Sequence, residues 1–247
     1  IFLTPEGVIA VPFMTDPLVM YWNRNIFSNN LVSQPPQYWD QVFELTEKMT
    51  RKDSNGNVLQ STIALGEWRN VTNSKEILST LLLQAGTPIV KRTTDGATSV
   101  LTLKMDLPVS PSESTLNFYT QFSNPVSKYY TWNRSLPSSL NMFLGGNLAM
   151  YLGFASEIFS IQQKNSNLNF DVTYVPQARN STKKTVFGHM YAFSITKQSK
   201  NVSAGFLAIN ALTETAALKS LETATNLPPI RRDMLVEKPT DAFRSVF

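Results

Sequence analysis

The sequence predicts an α/β fold, and three observations carry the prediction. The run Leu18 to Trp22 in "TDPLVMYWNRNIFSNN" is short, apolar and β-favouring, bounded by Pro17 and Asn23, as a buried strand should be. "PPQYWDQVFELTEKMT" follows with a proline-led helix start and puts Trp39, Val42, Phe43, Leu45 and Met49 on one helical face. "STIALG" and "SKEILSTLLLQAG" then repeat the order of strand and helix, the second stopped by Gly86. Such alternation favours helices packed on a largely parallel sheet.

The remaining elements follow in order. "GVIAVPF" reads as a strand ahead of Leu18, and Asn25 as the cap of a short helix starting at Ile26. Asn55-Gly56 turns the chain between "RKDS" and "NVLQ". From Thr87 to Pro108 the pattern weakens into short β pieces, "PIVKR" and "SVLTLK", around Asp95-Gly96. "SPSESTLNFYTQFSNP" reads as a helix with Leu116, Tyr119 and Phe122 on one face and Ser112 as cap. "SSLNMFLGG" predicts helix and turn, "LAMYLGF" a buried strand, "SEIFSIQQ" a helix and "FDVTYVPQ" a strand. After "TVFGHMYAFSITK" come helices in "SAGFLAINAL" and "ETAALKSLETA", and "LPPIRRDM" breaks the chain before a short C-terminal helix.

With 247 residues the chain holds one large domain or two modest ones. The 22 basic residues against 18 acidic ones are scattered, so no nucleic-acid stripe forms. The pI of 9.2 implies weak attraction to anionic surfaces. Zero cysteines exclude disulfides, thiol catalysis and cysteine zinc sites. No apolar run is long enough to span a bilayer, and a start at Ile1 without a leader suggests a processed or excised piece.

Several chemistries fail on spacing. Asp53, Asn55 and Asn57 imitate a calcium loop, but Val58 and Ala64 stand where that loop needs glycine and glutamate. Gly145-Gly146 lacks a phosphate-loop arrangement, and no Gly-x-Ser-x-Gly elbow exists. The one histidine, His189, cannot build a histidine-rich metal site, so no metal or other cofactor is expected. Paired-carboxylate catalysis stays open, since Asp16, Glu67, Asp106, Glu157 and Asp171 all fall near expected strand ends. Sequons at Asn70, Asn133, Asn180 and Asn201 read as coincidence in a chain rich in Asn, Ser and Thr.

Taken in order, "VPFMTDPLVMYWNRNIF", "QPPQYWDQVFELTEKMTRKDSNGN", "FLGGNLAMYLGF", "VTYVPQ", "GHMYAFSITKQSKNVSAGFLAINAL" and "NLPPIRRDM" resemble segments of extracytoplasmic solute-binding proteins of ABC importers. The likeness is to the sugar-binding family that includes maltose-binding protein. It implies a type II periplasmic-binding-protein-like α/β fold, mainly the second lobe plus part of the first. Residues 1–15 would be a first-lobe strand and crossover, 16–187 the second lobe, 188–225 the hinge and a first-lobe segment, and 226–247 a return to the second lobe. The family's opening first-lobe elements and its last helices would lie outside Ile1 to Phe247. Phe193, Ile195, Phe206, Leu207 and Leu212 would then be left without partners.

The resemblance further implies capture of a small-molecule carbohydrate between two lobes and delivery to ABC permease subunits at the membrane. It implies no catalysis, no nucleic-acid partner and an extracytoplasmic location, periplasmic or membrane-anchored as a lipoprotein. Matching positions put Asp16 at the lobe crossing, Trp68 after strand "STIALG", Phe154 after strand "LAMYLG" and Tyr191 on the hinge strand, with Gly188 and His189 at the hinge. Asn70 and Trp132, both in polar loops, join the candidate ligand group. Each aromatic has a packing alternative: Trp39 and Trp22 belong to core faces, and Phe154 and Tyr191 equally suit hinge packing. Two other functions compete, a glycan-processing enzyme using two strand-end acids and a same-fold binder of a polyamine, peptide or anion.

Overall fold

The computed structural model describes every residue except 1, 5–6, 94–95, 103–107, 180–182, 236–242 and 244. Asp106 and Asn180 therefore lie outside the described residues. A short hairpin, β1 (Leu3–Thr4) with β2 (Gly7–Val8), precedes one long strand, β3 (Val11–Asn23). The sequence reading broke this strand at its prolines. Pro12 and Pro17 are tolerated because each sits where the ladder gives way: Pro12 faces Ala192 at a register shift, and Pro17 pairs Gly188 at the end of the ladder.

The described chain forms two compact units, a larger one of residues 18–153 and 159–187 and a smaller one of residues 1–17, 154–158 and 188–247. In the larger unit, Asn23 caps helix α1 (Arg24–Asn29), its side chain accepting from Asn25 N and Ile26 N. That moves the cap two residues ahead of the expected Asn25. Helix α2 (Trp39–Met49) buries Trp39, Val42, Leu45 and Met49, as its periodicity predicts. Strands β4 (Arg51–Lys52) and β5 (Val58–Ile63) are antiparallel, joined by a turn in which the Asp53 carboxylate accepts from Asn55 N, Asn57 N and Asn57 Nδ2, each at 2.8 Å. Asp53 thus closes a turn on itself.

Helix α3 (Ser74–Gln84) ends before Gly86, which takes φ of 80°. The hairpin β6 (Val90–Thr93) with β7 (Gly96–Ser99) follows. Helix α4 (Pro111–Thr120) is capped by Ser110 rather than Ser112, with Pro111 at its first position. Its buried face is Ser112, Thr115 and Tyr119, while Leu116 is exposed. Helix α5 (Ser139–Leu144) leads into β8 (Leu148–Phe154), all seven residues of which are buried. A single 3-10 turn, Ala155–Glu157, opens helix α6 (Ile158–Lys164), and β9 (Phe170–Thr173) pairs antiparallel with the second half of β3. The sheet order in this unit is β3, β8, β5, β4, with β5 and β8 parallel. Four consecutive buried residues, Leu18 to Tyr21, mark β3 as covered on both faces.

In the smaller unit, β10 (Gly188–Phe193) runs antiparallel to the first half of β3, and helices α7 (Val202–Leu212) and α8 (Thr215–Thr225) follow. No C-terminal helix follows α8 among the described residues. The described residues of 226–247 cluster with this unit, whereas the expectation returned that segment to the second lobe. The cause is pairing with β3: Thr15 N donates to Pro228 O, Ile230 N to Phe13 O, and Met14 packs with Ala155, Leu227 and Phe247. Of the five residues expected to lack partners, Phe193 instead stacks on Phe13 at 4.2 Å, and Ile195 lies against Gly205. Phe206, Leu207 and Leu212 are exposed.

Candidate functional site

In the larger unit the chain leaves β5 into the loop Gly66 to Asn70. Gly66 has φ of 93°, a conformation that favours glycine, and a Cβ there would lie 2.6 Å from Ser123 Oγ. Side chains then fix three successive carbonyls of the loop. Ser123 Oγ donates to Gly66 O at 3.0 Å, the Tyr119 phenol to Glu67 O at 2.8 Å, and Ser74 Oγ to Trp68 O at 3.2 Å. Arg134 Nε donates to the Glu67 carboxylate at 2.8 Å. Burial, the main cause, pushes the Tyr119 phenol well above its ordinary value, which keeps it a donor. On this pinned backbone Trp68 is 62% exposed.

Asn70 and Trp132 differ from the expectation. The Asn70 amide donates to Asn133 O and Leu136 O, and its Oδ1 accepts from Trp132 Nε1 at 3.1 Å. Trp132 is 0% exposed, so its rings offer no face to a ligand; both residues staple the loop from Thr131 to Leu136. A polar loop suggested exposure, but Thr131 Oγ1 on Ile63 O and Trp132 N on Phe122 O draw that loop into the core.

In the smaller unit Asp16 is buried, and its carboxylate accepts from Ser156 N at 3.0 Å and Ser156 Oγ at 2.7 Å. It therefore caps the 3-10 turn, and the expected sugar-facing acid is occupied by Ser156. His189 pairs with Asp16 across the ladder, and its ring stacks on Phe154 at 4.2 Å. Phe154 is buried and Tyr191 exposed. Gly188 opens the last segment of this unit, and a Cβ there would stand 3.3 Å from Thr15 Oγ1 and 3.4 Å from Asp16 O. The candidates thus fall into two groups: Trp68, Asn70 and Trp132 in the larger unit, and Asp16, Phe154, Gly188, His189 and Tyr191 in the smaller. Sequence reasoning missed Ser156, Tyr119, Ser123 and Arg134, whose partners lie more than fifty positions away; no local signal marks them.

The other strand-end acids are engaged as well. Glu157 Oε1 accepts from Phe154 N at 2.8 Å, and Asp171 pairs with Arg24. Among the described residues no cluster of His, Asp or Glu is arranged to hold a metal, and no helix is long and apolar enough to cross a membrane.

Residues 2–242 match the family described as bacterial extracellular solute-binding protein. The chain belongs to that family. No curated protein matches the sequence. Among solved structures, a cyclo/maltodextrin-binding protein complexed with maltotetraose aligns over 100% of this chain and 59% of its own, at TM-score 0.73 and 15% identity. The maltose-maltodextrin binding protein of Alicyclobacillus acidocaldarius aligns over 99% and 60%, at 0.67 and 17%. An ABC transporter solute-binding protein from Thermotoga lettingae, bound with α-D-tagatose, aligns over 94% and 57%, at 0.62 and 20%. Such likeness establishes the fold, α/β of the type II periplasmic-binding-protein kind. This member of the solute-binding family spans about 60% of the length of those neighbours.

Proposed function

We propose that this chain belongs to a carbohydrate receptor of an ABC importer, held outside the cytoplasm as a periplasmic or lipid-anchored protein, which hands its ligand to permease subunits without chemical change. The observation that carries the reading is Trp68, an exposed indole on a loop whose carbonyls are fixed by Ser123, Tyr119 and Ser74. Sugars present flat C–H faces and a rim of hydroxyls, which an aromatic plane with polar neighbours complements. Glu67, next to Trp68 in sequence, and its ion-pair partner Arg134 supply such polar groups. Tyr191 is the ligand-facing aromatic proposed for the smaller unit, with Gly188 and His189 as its hinge.

Binding is favoured over hydrolysis because the four described strand-end acids each hold a donor: Ser156, Arg134, Phe154 N and Arg24. A glycosidase needs one such acid protonated and one free to attack or activate water. Calorimetry against maltodextrins, mannobiose and tagatose tests the reading. Trp68→Ala is expected to lose about 1–2 kcal/mol, roughly a five- to thirtyfold weaker Kd, with an unchanged melting temperature. Unchanged affinity together with a large loss of stability would make Trp68 a packing residue, and release of reducing ends would replace the receptor with an enzyme.

A further inference from the structure

The turn between β4 and β5 carries the one Asn-Gly pair of the chain, Asn55-Gly56. Both residues are exposed, and the space beside the Gly56 backbone is open: a Cβ there would meet nothing within 4 Å. The turn itself is held by its backbone and by Asp53. Asp53 N donates to Asn57 O at 2.9 Å and Gly56 N to Asp53 O at 3.0 Å, while the Asp53 carboxylate accepts from Asn55 N, Asn57 N and the Asn57 side chain. The Asn55 side chain makes no hydrogen bond among the described residues. Asn165, ahead of Ser166, is the contrast: its Nδ2 donates to Leu144 O at 2.8 Å and its Oδ1 accepts from Asn167 N at 3.0 Å.

An asparagine side-chain amide is an electrophile within reach of the next residue's backbone nitrogen, and glycine at that position removes the Cβ that would crowd the approach. We infer that Asn55 is a site of covalent modification, deamidating through a succinimide closed by Gly56. The Gly56 nitrogen gives its proton to solvent base and bonds Asn55 Cγ. The Cγ–Nδ2 bond breaks, and that nitrogen takes a proton from solvent and leaves as ammonia. Water then opens the ring, giving aspartate where it adds at Cγ and isoaspartate where it adds at the Asn55 main-chain carbonyl carbon. Water enters, ammonia leaves, and nothing is oxidised or reduced.

The attack must first part Gly56 N–H from Asp53 O. That bond is held only locally, because β4 has two residues, both exposed, at the end of the sheet and with a register shift between them. Such an edge opens at far less cost than global unfolding. The product adds a negative charge two positions from Asp53, whose carboxyl the Asn57 side chain and the Asn57 and Asn55 amides hold below the usual range. Isoaspartate also lengthens the main chain by a methylene inside the turn. Both changes loosen the pairing of β4 with β5, so the modification marks aged chains at this edge.

The test ages the full chain at mildly alkaline pH, weighs its proteolytic peptides by mass spectrometry, and labels isoaspartate with an isoaspartate-specific methyltransferase. The Asn55 peptide is expected to gain the mass and charge of an acid at least about tenfold faster than the Asn165 peptide, whose reaction must break two side-chain bonds and pass a serine Cβ. Isoaspartate is expected among the products, and the rate is expected to fall in mildly acidic buffer, where the nitrogen keeps its proton. Gly56→Ala is expected to slow Asn55 by at least about tenfold, with circular dichroism to show that the variant folds. The comparison of Asn55 with Asn165 needs no variant. Conversion of Asn55 only in denaturant, conversion of Asn165 at the same rate, or a product without isoaspartate would overturn the inference.

Discussion

Gly66→Ala tests whether the Trp68 loop is held as described. The added Cβ would stand 2.6 Å from Ser123 Oγ, 2.7 Å from Ser123 Cβ and 2.8 Å from Ser123 N. The hydroxyl can rotate away, but the backbone nitrogen cannot, because it donates to Thr120 O at 3.1 Å. An alanine at φ of 93° adds about 1–2 kcal/mol of backbone strain, and forcing a methyl into a filled space adds about 1–3 kcal/mol. The sum, roughly 2–5 kcal/mol, corresponds to a fall in Tm of roughly 4–20 °C for a chain of this size. All four tryptophans, at 22, 39, 68 and 132, lie in the larger unit, so intrinsic tryptophan fluorescence reports that unit by itself. Gly66→Ala/Ser123→Gly removes two of the three close atoms and should recover only part of the loss. A Gly66→Ala transition within about 2 °C of the parent would refute the reasoning, since a clash and a strained φ cannot both be absorbed at so small a cost.

Trp132→Ala should cost about 3–5 kcal/mol, as loss of a large buried ring does; chemical denaturation followed by circular dichroism measures it, and a near-neutral result would return Trp132 to the surface. Asp16→Asn replaces a carboxylate that accepts two bonds by an amide with one acceptor; exchange of the Ser156 amide with deuterium should quicken, and unchanged protection would free Asp16 for a ligand. The side-chain hydrogen bond from Arg231 is the main reason Asp233 titrates at about 2 instead of 3.8. A depressed carboxylate pKa stabilises the folded state above 3.8 and loses that contribution as pH falls from 3.8 through about 2. Arg231→Ala should therefore move the Asp233 midpoint, followed by NMR, up toward 3.8, and the contribution it removes is the one present above 3.8, neutral pH included.

Elements whose cause is local were legible. The spacing of Trp39, Val42, Leu45 and Met49 matches the buried face of α2, and seven apolar or small residues in a row form the fully buried β8. Caps were misplaced where two candidates stand two positions apart, Asn23 against Asn25 and Ser110 against Ser112. For Ser110 a signal was present: the proline after it suits the first helical position, where no N–H is missed. The unbroken β3 was hidden because a proline removes a ladder donor, and only the partner strand reveals that its position needs none. The placement of the chain around Leu227 was hidden in the same way, since it depends on Met14 meeting Leu227 across more than two hundred positions.

The two loop tryptophans show where a site becomes illegible. Trp68 and Trp132 both sit in polar loops after apolar elements, and composition treats them alike. What separates them is the fate of neighbouring polar atoms. Around Trp132, Thr131 reaches Ile63 O and Asn70 takes the indole Nε1, so burying that ring leaves no donor unsatisfied. Around Trp68 the equivalent bonds go to backbone carbonyls, from Ser123, Tyr119 and Ser74, and they hold the loop while leaving the ring outside. An aromatic plane fixed through its backbone loses little conformational freedom when a ligand stacks on it, so less of the contact energy is spent on ordering. The same bonds make the platform depend on Gly66, because only a residue without a Cβ lets Ser123 approach closely enough to pin the first carbonyl.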